Sequence, residues 1–231
     1  ADVSRALREE ERQAWQRLIR VLGHELNNSL TPIKSMASTL GALVAREPPP
    51  ADWRDDARSG LAVIGDRADA LTRLMHGYTT LARLPSPSKQ RVELGSLLAG
   101  VARLEQRVPV AVERGVEVEL DADPDQVEQA LINLLKNAAE ASLERGGGVA
   151  LRWRRAGDAA VIEIADEGQG ISTTDNLFVP FFTTKPGGSG IGLVLARQIA
   201  EAHGGSLRLE NRLDRTGCIA RLGLPLRAAA R

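Results

Sequence analysis

The chain has 231 residues, 43% of them hydrophobic, and its 30 Lys and Arg balance 30 Asp and Glu to a formal net charge of zero. That content supplies packed cores for one large or two modest domains, and the charge balance leaves no basic field for nucleic acid or an anionic membrane surface. The single cysteine, Cys218, excludes an internal disulfide framework and a cysteine zinc site, and no apolar run approaches the roughly 18 residues of a membrane span.

The chain opens on the charged stretch Ala1 to Arg12, which is no signal peptide and reads as a helix entered midway, as in a segment of a longer protein. The chain itself is expected in the cytoplasm, with any membrane attachment carried by segments outside it. A first helix is predicted over Ser4 to Arg46. Trp15, Leu18, Leu22, Leu26, Leu30, Ile33, Met36 and Leu40 repeat at three- and four-residue steps and mark one buried stripe. His24 lies two residues from both Leu22 and Leu26, which at about 100° per residue turns it away from that stripe. Asn28 follows one turn later on the same outward face. Pro32 removes a backbone donor within the pattern and predicts a kink below His24.

After the breaker Glu47 to Pro50, Asp52 is positioned to cap a second helix, with Asp55 in its first turn. Leu61, Ile64, Ala68, Leu71, Met75 and Tyr78 continue it with heptad-like spacing. The two helices form an antiparallel hairpin that leaves an apolar face open, and a second copy would close it into a four-helix bundle, so a homodimer is expected. Pro85 to Ser88 is a stiff break. It divides the chain into a helical hairpin over 1–84, a linker over 85–90 and a second domain over 91–231.

In that second domain the pattern predicts a helix over Leu94 to Gln106, short strands at Val108 to Val112 and Val116 to Leu120, and a helix from Pro124 to about Arg145. A hairpin follows at Val149 to Arg155 and Val161 to Ala165, then a glycine-rich region, a helix over Ile191 to His203, and strands at Ser206 to Glu210 and Ile219 to Leu224. Strands and helices mix without regular βαβ alternation, so the class is an α+β sandwich. Asp123-Pro124-Asp125-Gln126 has the capping-box form, with an N-cap carboxylate, proline at the first helical position and glutamine at the third. His203 stands before Gly204-Gly205 and reads as a helix C-cap.

Three features of this domain converge on a nucleotide. Asn133, Asn137 and Glu140 share one face of the helix opposite its buried side of Val127, Ala130, Leu131, Leu134 and Ala138. Asparagine oxygens suit Mg²⁺, which takes its other ligands from phosphates and water, although such a face standing alone is as readily a solvated one. Asp166-Glu167-Gly168-Gln169-Gly170 follows an apolar strand directly. Its carboxylate can accept from an amino group such as that of adenine, while its glycines permit close backbone approach. Lys185 and the glycines at 187, 188, 190 and 192 run into a helix whose N-terminal N–H groups and dipole favour phosphate.

These segments, in this order, closely resemble the bacterial sensor histidine kinases of two-component systems. Leu22-Gly23-His24-Glu25-Leu26-Asn27-Asn28 resembles the histidine box, Asn133 to Glu140 the asparagine box and Asp166 to Gly170 the first glycine box. Phe178 to Lys185 is similar to the phenylalanine box and Gly188 to Gly192 to the second glycine box, in a form resembling the nitrogen-regulation-like branch. The resemblance implies a dimerisation and histidine phosphotransfer hairpin followed by an ATP-binding domain of the gyrase, heat-shock, histidine-kinase and MutL type.

The resemblance further implies that Asn137 binds Mg²⁺ with help from Asn133, and that Asp166 holds adenine with Gly168 and Gly170 beside it. Thr184, Lys185, Gly188, Gly190 and Gly192 would contact the phosphates, and Ser172 to Ser189 would form an ATP lid. His24 would accept the γ-phosphoryl group with Glu25 as base or orienter, then pass it to an aspartate on a response-regulator receiver domain. An amide at Asn28 implies a second activity, water-assisted dephosphorylation of that regulator. One departure is Gly217-Cys218-Ile219-Ala220, where the family commonly has Gly-Thr-x-Phe. Two other classes share parts of this pattern. An ATPase of the gyrase type carries a glutamate base where this chain has Asn133, and a non-catalytic adaptor has no use for the His24-Glu25 pair.

Overall fold

The computed structural model describes residues 23, 26–48, 50–82, 84–113, 115–172, 176–185 and 188–226. His24, Glu25 and the predicted start of the first helix lie outside these residues. The chain divides into two compact units: the helical one takes in residues 1–82 and 183–189, the larger one residues 83–182 and 190–231.

In the helical unit, residues 26–44 form α1, which continues through Pro32, and Trp53–Ala82 forms α2. Asp52 directly precedes α2, and its carbonyl accepts from the N–H groups of Asp55 and Asp56 at 3.0 and 3.2 Å. Those two residues also place negative charge against the positive end of the helix. Leu26, Ile33, Met36, Leu40 and Leu43 are half-buried along α1, as are Ile64, Leu71, Leu74 and Tyr78 along α2. The helices meet where a Cβ on the buried Gly60 would stand 3.0 Å from Leu40 Cδ2. Leu30 departs from the predicted stripe: it is 48% exposed, and Ser29, at 7%, takes the inward position. Each four-residue step overshoots the seam by about 40°, so a three-residue step from Leu26 to Ser29 restores it.

The larger unit is a two-layer sandwich. Gln90–Glu93 (β1) pairs antiparallel with Glu119–Ala122 (β3), bracketing Leu94–Leu104 (α3) and Val110–Val112 (β2). Pro124–Leu143 (α4), Val149–Ala156 (β4), Ala159–Asp166 (β5), Gly192–Ala202 (α5), Ser206–Asn211 (β6) and Cys218–Pro225 (β7) complete it. The main sheet has the order β2-β4-β5-β7-β6, with β2 parallel to β4 and all other pairs antiparallel.

The core follows from a period of two on the strands and a stripe on each helix. Val149, Leu151 and Trp153 on β4, Ala160, Ile162 and Ile164 on β5, and Ala220, Leu222 and Leu224 on β7 are buried. α4 contributes Val127, Leu131, Leu134 and Leu135 to the same core and packs against α3, α5 and β5. Each fully buried leucine among them contributes about 2 kcal/mol. The alternate strand residues form an outer face on which Arg152, Glu163, Arg221 and Glu210 make a charge ladder across four strands. β1 has no counterpart among the predicted elements, and β3 begins three residues later than the predicted strand. Val118 O accepts from Leu94 N–H at 3.1 Å, which draws the chain into the small sheet instead.

Candidate nucleotide site

The site is built on the facing surfaces of α4 and α5. Asn133, Asn137 and Glu140 are half-buried on one side of α4. The Asn133 Nδ2 is buried with no hydrogen-bond partner among the described residues. Facing it, a Cβ on Gly192, the first residue of α5, would stand 3.6 Å from Asn133 Oδ1. Ile191 precedes α5 as N-cap and makes no side-chain cap bond, so the cap residue itself leaves the N-terminal N–H groups of this helix unsatisfied. A buried amide thus confronts an uncapped helix start, an arrangement suited to an anion.

Asp166 ends β5 and is 6% exposed. Its Oδ1 accepts from Gly168 N–H at 2.9 Å and Cys218 N–H at 3.0 Å, which compensates the buried carboxylate and fixes its plane. Arg212 donates from Nη1 to the Asp166 carbonyl at 3.1 Å and grips Asp214 with its other nitrogens. Gly168 must be glycine for packing, because a Cβ there would lie 2.7 Å from Ala141 Cβ on α4. Asn211 braces the turn after Gly170: its side chain accepts from Ile171 N–H at 2.7 Å and donates to Ile171 O at 2.8 Å. Glu167, next to Asp166, is held below the usual carboxylate range by the Gly148 N–H and then by Arg215.

The loop before α5 has a fixed base. Phe181 is 7% exposed and Arg197 lies 4.9 Å over the Phe178 ring, so the first half of the phenylalanine box is anchored to the domain. Phe181 N–H donates to Gly190 O at 3.0 Å. Within the loop, Lys185 N–H donates to Thr183 Oγ1 at 3.1 Å and Gly188 N–H to Lys185 O at 3.1 Å; Thr184 is exposed and Lys185 half-buried.

Of the residues singled out in the sequence, Asn133 and Gly192 face one another, and Gly168 packs on the helix that carries Asn133 and Asn137. Asn28 is exposed on α1. Sequence reasoning missed Asn211, Arg212, Arg197 and the Cys218 backbone as supports. None carries a local signal, since each acts across 19 or more residues. The Cys218 thiol is pushed up to about 12 by burial and then by Asp166, so it is a packing residue rather than a nucleophile. Among the described residues no cluster of three His, Cys, Asp or Glu could hold a metal ion. The amide oxygens of Asn133 and Asn137 are neutral hard donors, a chemistry that fits Mg²⁺ carrying phosphate and water ligands.

Residues 122–228 match the family described as histidine kinase-, DNA gyrase B-, and HSP90-like ATPase. The sensor histidine kinase ZraS of Klebsiella oxytoca is 30% identical over 88% of this chain and 45% of its own length. The nitrogen regulation protein NtrY of Azorhizobium caulinodans is 29% identical over 96% of this chain and 30% of its own. Over these residues the chain is similar to the two-component sensor histidine kinases. The solved structure of histidine kinase ThkA in complex with response regulator protein TrrA aligns with a TM-score of 0.63 at 22% identity, covering 94% of this chain and 65% of that one; it shows the shared fold alone. ZraS and NtrY match this chain almost equally, so the nitrogen-regulation-like branch is one of several it resembles. The chain spans less than half the length of either curated relative. No helix among its described residues is long and apolar enough to cross a membrane.

Proposed function

We propose that this chain is the catalytic core of a sensor histidine kinase that uses Mg·ATP to phosphorylate His24 and passes the phosphoryl group to an aspartate on a response-regulator receiver domain. The observation that carries the reading is the buried Asn133 Nδ2, without a partner among the described residues, on an amide facing the start of α5, whose N-cap Ile191 makes no side-chain cap bond, with the doubly anchored Asp166 on the loop packed against α4.

In this reading Asp166 accepts from the adenine amino group, and the N–H groups from Gly188 to Gly192 with Lys185 hold the phosphates. Asn137, with Asn133, would hold Mg²⁺, which when bound neutralises phosphate charge. An imidazole nitrogen of His24 forms the new N–P bond as the bond from the γ-phosphorus to its bridging oxygen breaks, ADP carries away the electron pair, and Glu25 takes the proton from the other ring nitrogen. An ordinary imidazole, with a pKa of about 6.5, is largely neutral near pH 7 and ready to attack. Asn28, exposed one turn beyond His24, would position water for dephosphorylation of the regulator.

Incubation of the 231-residue chain with radiolabelled ATP and Mg²⁺ tests this. Acid-labile, base-stable label that disappears in His24→Ala and in Asn137→Ala supports the kinase. Free phosphate without protein label would instead favour an ATPase. A purified receiver domain should then remove the label, and His24→Ala mixed with Asn137→Ala tells whether transfer crosses a dimer.

A further inference from the structure

The start of α4 is wired differently from the capping box its sequence suggests. In that box the Gln126 side chain would reach back to the Asp123 N–H. Here Asp123 N–H donates to His203 Nε2 at 3.0 Å, and Gln126 instead donates from Nε2 to the Pro85 carbonyl at 3.0 Å. His203 is the C-cap of α5 and 2% exposed, with Nδ1 2.8 Å from the Ile199 carbonyl. A carbonyl only accepts, so Nδ1 carries the proton and Nε2 offers Asp123 a lone pair. By satisfying the helix start, His203 releases Gln126 to hold the linker.

A second bond ties the linker to the same place. Ser88 N–H donates to Asp123 Oδ2 at 2.9 Å, while Asp123 Oδ1 caps α4 by accepting from Gln126 N–H at 3.2 Å. Asp123 therefore joins three segments: the linker, the start of α4 and the end of α5. Gln126 is 8% exposed and its Oε1 is buried without a partner among the described residues. An unsatisfied buried acceptor lowers stability, so packing alone does not account for an amide at this position. α4 carries Asn133 and Asn137 beyond this junction, and α5 begins at Gly192, opposite His203. Both helices of the nucleotide site thus share an anchor with the linker that leads back to the His24 helices.

We infer that Asp123, Gln126 and His203 are positioning residues for phosphoryl transfer: they fix where the linker leaves the ATP-binding unit, and so how bound nucleotide is presented to His24, without touching the nucleotide. This rests on the kinase reading above. Gln126→Met in the complete chain tests it, because methionine keeps the apolar length, removes the orphaned oxygen and cannot donate to Pro85. Affinity for ATP should stay within about twofold and the urea midpoint should not fall, while the initial rate of His24 labelling falls at least about fivefold, in kcat rather than KM. The Ser88 amide should exchange hydrogen at least about tenfold faster. His203→Gln, which can still accept from Asp123, should label faster than His203→Ala. An unchanged labelling rate in Gln126→Met overturns the inference, and so does a parallel fall in ATP affinity and stability, which marks a merely structural role. Absence of label in the unsubstituted chain would overturn the kinase reading, and this inference with it.

Discussion

Phe181 N–H donates to Gly190 O at 3.0 Å, and both residues hold positive φ, 67° and 64°. This pair joins the two ends of the loop that carries Thr184, Lys185 and Gly188. The left-handed backbone at Phe181 is unfavourable for a bulky residue, by about 1–3 kcal/mol, and the burial of its ring offsets that cost. Gly190 cannot be replaced in place, because a Cβ there would stand 2.4 Å from the Phe181 carbonyl carbon. Gly190→Ala is expected to spread the base of the loop and lower ATP affinity about tenfold, equal to about 1.4 kcal/mol. Isothermal calorimetry reads this directly, and an unchanged affinity would show that the pinched base is not needed for binding.

Asp166→Asn separates anchoring from recognition. Asparagine keeps an acceptor for the Gly168 and Cys218 N–H groups but replaces the other oxygen with a donor. The thermal midpoint should therefore move by only a few degrees, about what 1 kcal/mol shifts in a domain this size. Affinity for ATP should fall about 10- to 100-fold, the range for a lost hydrogen bond to a charged group. Binding that survives intact would remove Asp166 from the adenine site.

Glu163 gives the outer face a pH dependence. It is 7% exposed and lies between Arg221 Nε at 2.8 Å and Arg152 Nε at 2.6 Å. Burial pushes its carboxyl upward, but the bonds from Arg221 and Arg152 outweigh that and hold it below the usual carboxylate value. A carboxyl lowered in the folded state contributes its full stability above the unfolded pKa, about 4.3, and loses it as pH falls through the folded one. Glu163→Gln should cost about 2 kcal/mol at pH 7, because Arg152 and Arg221 each lose a buried carboxylate partner while Arg221 keeps Glu210. Urea midpoints measured downward from neutral pH should show the gap between variant and parent closing below about pH 4. A gap that stays constant over that range would assign the loss to packing instead.

Much of the larger unit is legible in the sequence because its strands and helices carry strong periodic signals. The Val149–Ala156 and Ala159–Asp166 hairpin, the Pro124 start of α4 and the last two strands follow from alternation and capping residues alone. β1 was not legible, because Gln90–Glu93 has one apolar residue, Val92, and becomes a strand only by pairing with β3. α3 begins at Leu94, as the sequence pattern predicts, although its cap, Glu93, is an unusual one. Glutamate is not a preferred N-cap, yet its carboxylate takes the Gly95 and Ser96 N–H groups at 2.8 and 2.6 Å. The boxes name the residues expected to contact nucleotide, whereas their supports depend on the fold. Arg212 reaches the Asp166 carbonyl across 46 positions and His203 reaches Asp123 across 80, and no local pattern encodes either.

The helical unit makes the last prediction. Leu61, Ala68 and Met75 stand seven residues apart on α2 and are exposed, Leu61 at 61% and Met75 at 41%, while Ile64, Leu71 and Tyr78 turn toward the half-buried side. An apolar ridge at heptad spacing alongside a buried seam is the pattern of a helix with packing partners on two sides. α1 can cover only one of them. A second copy of the hairpin offers the same ridge and would complete a four-helix bundle. Leu61→Glu with Met75→Glu should leave the larger unit folded, with ATP affinity unchanged, and convert the chain from dimer to monomer in sedimentation equilibrium. If transfer runs between subunits, His24 labelling will become proportional to the square of the variant's concentration when dilute; if it runs within one, the rate per chain will not change with dilution. A parent chain that sediments as a monomer would sink the bundle outright.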